Sequence, residues 1–245
     1  MHVPIGLLAA DFNLLYVWQR STIEGKAIIV ILVLFSIFAW SIMATKTVEM
    51  RRARALNDLF DQEFRGQKSV FTIHDRKVQV DGCPSFSVYS AGCEELDERV
   101  RQGPGLPRRE RISLKALEHV KRVIEGEVAR QALKLESGLI LLAIAVSGAP
   151  FLGLLGTVWG VMSAFSGIAQ AVAAGNQVDL AAMAPGVAGA LLTTVAGLLV
   201  AIPSMFGYNW LVHNLRVHTV ELDNFAQELV TRIEIEFLGD DEDPA

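Results

Sequence analysis

Ala149-Pro150-Phe151-Leu152-Gly153-Leu154-Leu155-Gly156-Thr157-Val158-Trp159-Gly160 is the stretch that decides the fold. It carries no charge, a helix-interrupting proline, glycines at helical spacing and one hydroxyl. Working outward, Ser137 to Val178 contains no Asp, Glu, Lys, Arg or His, and after Asp179 the chain stays uncharged until His213. Each run exceeds the roughly 20 residues that cross a bilayer. A third run, Ala27 to Ala44, is plainer, with the body Ile28-Ile29-Val30-Ile31-Leu32-Val33-Leu34-Phe35. The expected fold is therefore all-α, a polytopic membrane protein with three transmembrane helices.

The chain has 245 residues, 51% of them hydrophobic and 20% charged, and the charge is segregated away from the three runs. Asp11, Arg20 and Glu24 precede the first run. That run is long enough to span and is followed by no small-residue cleavage pattern, so it is expected to persist as a membrane helix. Cytoplasmic flanks are enriched in Lys and Arg. Only Arg20 and Lys26 lie before the first run, whereas Lys46, Arg51, Arg52, Arg54 and Arg65 follow it and Lys115, Lys121, Arg122, Arg130 and Lys134 precede the second. The expected order is an external segment over 1–26, read as an amphipathic helix; a first span over 27–44; and a cytoplasmic helical region over 45–136. A second span with a cytoplasmic extension follows over 137–170, then a short outer loop over 171–182, a third span over 183–212, and a cytoplasmic amphipathic helix with an acidic tail over 213–245.

Within the cytoplasmic part, Leu56, Leu59, Phe60 and Phe64 form a stripe that continues the first span inward and stops at Gly66. Phe86, Tyr89, Cys93, Leu96 and Val100 step by three and four after Pro84, a favourable first-turn residue, which predicts a second helix. Gly103-Pro104-Gly105-Leu106-Pro107 breaks it. Leu114, Leu117, Ile124, Val128 and Leu135 then run without a recognised stop into the second span. Alternation of Phe71 with Ile73 and of Val78 with Val80 suggests a small hairpin between Ser69 and Val80. Leu222, Phe225, Leu229, Ile233 and Phe237 predict a closing amphipathic helix.

Chemistry is sparse. Cys83 and Cys93 have no histidine at zinc-site spacing, and His2, His74, His119, His213 and His218 are scattered outside the spans. There is no phosphate-binding glycine loop with Lys and Ser/Thr, no Gly-x-Ser-x-Gly and no His-Glu-x-x-His, so neither an enzyme nor a cofactor or metal is expected. A net charge of −5, with a tail ending Asp240-Asp241-Glu242-Asp243, argues against a nucleic-acid partner.

The second and third spans carry the remaining signal. Gly153, Gly156, Gly160 and Ala164 in one, and Gly186, Gly189, Ala190, Thr193, Thr194, Gly197, Ala201 and Ser204 in the other, let helix backbones approach closely in lipid. Pro203 is expected to bend the inner end of the third span. Such faces call for more neighbours than one chain supplies, which predicts a homo-oligomer. Thr157 and Thr194 admit two accounts at this point: each bonds back to a carbonyl of its own helix, or both face a common lumen.

Ala149-Pro150-Phe151-Leu152-Gly153-Leu154-Leu155-Gly156-Thr157-Val158-Trp159-Gly160-Val161-Met162, followed by Ala184-Pro185-Gly186-Val187-Ala188-Gly189-Ala190-Leu191-Leu192-Thr193-Thr194 and Gly197-Leu198-Leu199-Val200-Ala201-Ile202-Pro203, resembles the paired signature of the MotA/TolQ/ExbB proton-channel family, the TolQ and ExbB branch best. The resemblance implies a stator subunit in a bacterial inner membrane, with a periplasmic N-terminus and a cytoplasmic C-terminus. It implies a ring, pentameric in the family, around two copies of an ExbD- or TolR-like single-span partner, with a TonB- or TolA-like protein beyond. The transported species is a proton, and its flow drives force transfer to the outer membrane. By position, Thr157, Thr194 and the adjacent Thr193 become candidate pore-lining residues. Pro150, Gly153, Gly156, Gly160, Pro185, Gly186, Gly189, Gly197 and Pro203 become packing and motif residues.

One position departs from the pattern. Many TolQ and ExbB proteins place a glutamate after the Ala-Pro-Gly motif, and here that position is Gly189. A carboxylate inside a membrane is costly and usually functional. Its absence leaves a second reading beside the conducting stator, that of a structural ring that holds the partner without passing protons.

Overall fold

The computed structural model describes residues 22–101, 111–175 and 180–238. Most of the expected N-terminal helix, the Gly103–Pro107 break, the middle of the outer loop and the acidic tail lie outside the described residues, as does the side chain of Pro185. The described residues form six helices: α1 (Ile23–Gly66), α2 (Phe71–Asp75), α3 (Pro84–Val100), α4 (Leu114–Glu136), α5 (Leu139–Ala173) and α6 (Leu180–Phe237). No strand occurs among them. Segments of α1, α5 and α6 are long and apolar enough to cross a membrane, with mean hydropathies of 2.7, 2.3 and 2.0. The chain is thus a multi-pass membrane protein, helical throughout its described elements.

The chain divides into two compact units, one comprising 1–43 with 140–208 and the other 44–139 with 209–245. In the first, Ile28, Leu32, Ala149 and Ala201 pack with Leu152, Ala196 and Val200. Most large apolar side chains there point outward: Phe151 is 72% exposed, Leu199 69% and Phe206 66%. That inverts the pattern of a soluble protein and suits a lipid surround. The helical assignment runs unbroken through Pro150 in α5 and through Pro203 in α6, so neither proline ends its helix.

The second unit has a core of its own. Phe60 and Phe64 of α1, Phe86 and Tyr89 of α3 and Phe225 of α6 pack ring on ring, with centroids 5.3 to 6.3 Å apart and mostly tilted or edge-on. Around them Val88, Cys93, Leu96, Val120, Ile124, Leu229 and Ile233 are fully buried. Helix α1 stops at Gly66 as the sequence predicts, and a side chain finishes the job: Arg232 Nη1 donates to the Phe64 carbonyl at 2.9 Å, with its guanidinium over the Phe64 ring. This satisfies a carbonyl that the end of the helix leaves without a partner. Helix α3 begins with Cys83 as N-cap, its sulfur accepting from the Phe86 N–H, and Pro84 in the first turn.

Two expectations fail here. The hairpin between Ser69 and Val80 is absent, and Phe71–Asp75 is a short helix. The alternation covered too few residues to fix a strand, and the backbone groups find other partners. The Tyr89 hydroxyl donates to the Val70 carbonyl at 2.5 Å and accepts from the His74 N–H at 2.9 Å, while the Val70 N–H donates to Glu236 at 2.8 Å. Nor does α4 run into the second span. It ends at Glu136, Ser137 turns extended, and Gly138 takes φ +86° before α5 starts at Leu139. Lys46 Nζ lies 3.4 Å from Ser137 Oγ at this turn and pairs with Glu49 at 2.8 Å. A glycine in the left-handed region is a common helix stop.

Candidate functional site

The candidate site lies within the first unit, where α5 and α6 run antiparallel with almost nothing between their backbones. Glycine makes this approach possible. A methyl group on Gly153 would stand 2.8 Å from the Thr193 carbonyl oxygen, and one on Gly160 would stand 2.5 Å from Ala190 Cβ. On the facing helix, a methyl group on Gly197 would meet the Ala149 carbonyl oxygen at 2.6 Å and Gly153 Cα at 3.2 Å. Gly153, Gly156 and Gly160 of α5 and Gly189, Ala190, Thr193, Gly197, Ala201 and Ser204 of α6 are all buried. Gly186 is looser, its nearest neighbour being Ala164 at 3.8 Å.

Three threonine hydroxyls meet in this seam. Thr157 and Thr194 hydrogen-bond to each other across it, and either can be the donor. Thr157 also reaches the carbonyl of Gly153 in its own helix at 3.2 Å and that of Ala190 in the other at 3.3 Å. Thr194 reaches the Gly153 carbonyl at 3.1 Å, and Thr193 reaches Gly153 at 3.0 Å and Ala190 at 2.6 Å. A threonine hydroxyl has one hydrogen to give. Three hydrogens therefore serve several acceptors, and rotation about the Cβ–O bonds redistributes them while the heavy atoms stay in place.

Within this chain the hydroxyls do more than bond back to their own helices. Thr157 does bond back within its helix, and it also faces Thr194, with both side chains partly exposed. Thr193 differs. It is 0% exposed, enclosed by Gly153, Gly156 and Ala190, so within this chain it is a packing residue and not an open hydroxyl. The sequence offered no direct sign of the carbonyls of Gly153 and Ala190, which are the acceptors that gather the hydroxyls. Their only trace was the small-residue pattern that lets a hydroxyl reach them.

The seam holds no ionisable side chain. Gly189 is buried on α6 beside Ala190. The arrangement can orient and exchange hydrogen bonds, but it cannot store a proton as charge on a side chain of its own.

Comparison with known proteins places the chain in a family. Residues 94–224, which include all three threonines, match the sequence model of the MotA/TolQ/ExbB proton channel family. The Tol-Pal system protein TolQ of Haemophilus influenzae is 31% identical over 95% of this chain and 98% of its own length. TolQ of Pseudomonas aeruginosa is 32% identical over 78% of this chain and 79% of its own. The biopolymer transport protein ExbB of Neisseria meningitidis is 29% identical over 90% of this chain and 97% of its own. Three apolar helices, a glycine seam and a facing pair of threonines therefore sit in a chain that belongs to the MotA/TolQ/ExbB proton channel family, in its TolQ and ExbB branch.

Proposed function

We propose that this chain is the stator subunit of an inner-membrane motor driven by the proton-motive force, of the TolQ/ExbB kind. It assembles as a homo-oligomeric ring, pentameric on the family pattern, around two copies of an ExbD- or TolR-like single-span partner. Proton flow through the ring drives force transfer towards the outer membrane through a TonB- or TolA-like protein. The basic residues flanking the spans support a periplasmic N-terminus and a cytoplasmic second unit. The proton is cargo, and the chain works without a cofactor.

The observation that carries this reading is the Thr157–Thr194 pair in a chain of a proton-channel family. With Gly189 in place of a carboxylate, the titrating acid belongs to the partner, and the two hydroxyls supply hydrogen bonds around it. Thr→Val keeps side-chain shape and removes the hydroxyl. Thr157→Val with Thr194→Val should leave a ring of unchanged mass by native mass spectrometry while abolishing dissipation of an imposed pH gradient in liposomes carrying the complex with its partner. Unchanged proton flux in the double variant would overturn the assignment of these threonines.

Gly189 supports the second reading, a structural ring that holds the partner without conducting. The two readings separate in the same liposomes. A conducting stator passes protons as wild type and stops when the partner's intramembrane acid is replaced by its amide. Gly189→Glu, which restores the acid of the family pattern, should be tolerated. A wild-type complex that passes no protons under conditions that activate a related stator establishes the structural ring.

A further inference from the structure

Among the described residues, two buried side-chain polar atoms have no hydrogen-bond partner: Asp61 Oδ1 and His218 Nδ1. Both belong to the second unit, on the facing sides of α1 and α6. Native proteins pair such atoms almost without exception, so an unpaired one calls for a reason. His218 is 5% exposed, and its Nδ1 lies 3.6 Å from Glu221 Oε2, too far for a hydrogen bond and close enough to become one. The other oxygen of Glu221 is held by Arg54 Nη2 from α1 at 3.4 Å. The charged groups facing His218 are therefore Arg54 and Asp58 of α1 and Glu221 of its own helix. Those around Asp61 are Asp58 and Arg65 of α1 and Glu228 of α6, with Ser85 and the Cys83 thiol at the start of α3. Ion pairs flank the seam on both sides, Arg54 with Glu221 and Arg65 with Glu228 at 3.0 Å.

We propose that this contact between α1 and α6 is a proton-operated latch: neutral His218 holds it closed, and protonation of His218, with Glu221 pulled from Arg54 towards the new imidazolium, releases it. Burial disfavours the charged ring and pushes the His218 pKa below its ordinary 6.5. An opened seam would let the ring titrate near 6.5, so the closed form has its full advantage above that pH and loses it as the pH falls from there towards the lowered value. Asp61 acts with the opposite sign. Burial raises its pKa above 3.8, so acidification neutralises a half-buried carboxylate, and closing is favoured as the pH falls through the raised value. The two groups thus pull in opposite directions as the pH falls, His218 towards opening and Asp61 towards closing. In the orientation proposed above, this unit faces the compartment that receives the protons, but the latch is a property of the chain whether or not the ring conducts.

Hydrogen–deuterium exchange of the full chain in nanodiscs, corrected for the intrinsic pH dependence of exchange, reads the opening directly in peptides covering Arg54–Arg65 and His213–Glu228. Lowering the pH from 7.5 to 5.5 should raise the open population in both, by up to about tenfold for each pH unit below 6.5. His218→Asn should abolish that rise. Asp61→Asn should keep or enlarge it, because only the opposing group is lost. Glu221→Gln gives a second reading should the histidine variant fold poorly: it removes both the Arg54–Glu221 pair that holds the closed seam and the carboxylate that favours the imidazolium within it, so opening should begin at higher pH. A wild-type chain with no acid-dependent opening, a His218→Asn chain that still opens, or a Glu221→Gln chain with an unmoved midpoint would each overturn the latch.

Discussion

Gly197 has no room for a methyl group, and what blocks it is backbone: the Ala149 carbonyl oxygen at 2.6 Å and Gly153 Cα at 3.2 Å. Backbone cannot swing aside as a side chain does, so Gly197→Ala must part the two helices. It should cost about 1–3 kcal/mol, the usual range for overpacking. Gly186→Ala, whose nearest neighbour is 3.8 Å away, should be close to neutral. Thermal unfolding in detergent, compared between the two variants, checks the contrast. Thr193→Val tests the buried hydroxyl separately and should lower stability by about 1 kcal/mol, the typical worth of one internal hydrogen bond. At this scale much of the site was legible. Thr157, Thr193 and Thr194 stood out as hydroxyls among small residues, because a hydroxyl in an apolar run is conspicuous. That Thr193 packs while Thr157 and Thr194 stay partly exposed was not legible, since it depends on how α5 and α6 are turned about their own axes.

Among the elements, the turn between α4 and α5 is held by one residue's backbone. Gly138 at φ +86° has nothing crowding its missing side chain closer than Lys46 Cε at 3.6 Å, so any penalty for alanine there is conformational. Gly138→Ala should cost roughly 1–2 kcal/mol for placing an L-residue in the left-handed region. Gly126→Ala, on the exposed face of α4 with nothing within 4 Å, should gain roughly 1 kcal/mol from helix propensity. Denaturation of the two variants side by side, one destabilised and one stabilised, separates a glycine that the fold requires from one that it tolerates. The spans and the end of α1 were readable because hydropathy and three-to-four spacing repeat over many residues. The Ser137-Gly138 stop was readable in principle and was masked because the apolar stripe of α4, ending at Leu135, leads straight on to the apolar run from Leu139, which made two helices look like one. The hairpin expected at Ser69–Val80 rested on two short alternations, and the contacts that decide that segment come from Tyr89 and Glu236, far along the chain.

For the molecule as a whole, the two units differ in what surrounds them. The first presents Phe151, Leu199 and Phe206 outward, and the second buries Phe60, Phe64, Phe71, Tyr89, Phe225 and Phe237. Both cysteines lie in the second: Cys83 is 1% and Cys93 0% exposed, and burial pushes the Cys83 thiol up. A thiol that is buried and protonated is a poor nucleophile. Neither should react with a maleimide at neutral pH in the folded protein, and both should react fully once denaturant opens the core. Rapid labelling without denaturant would mean that this unit is loose in solution.

The aromatic core of that unit has a further consequence. Phe60, Phe64, Phe86, Tyr89 and Phe225 build it without a tryptophan, while Trp40, Trp159 and Trp210 are 58%, 42% and 43% exposed. The strongest fluorophores of the described chain thus look outward, into lipid, detergent or neighbouring protein. The aromatic core itself carries no indole, so within it the fluorescent reporter is the phenol of Tyr89, and the two buried thiols report its loosening by their reactivity.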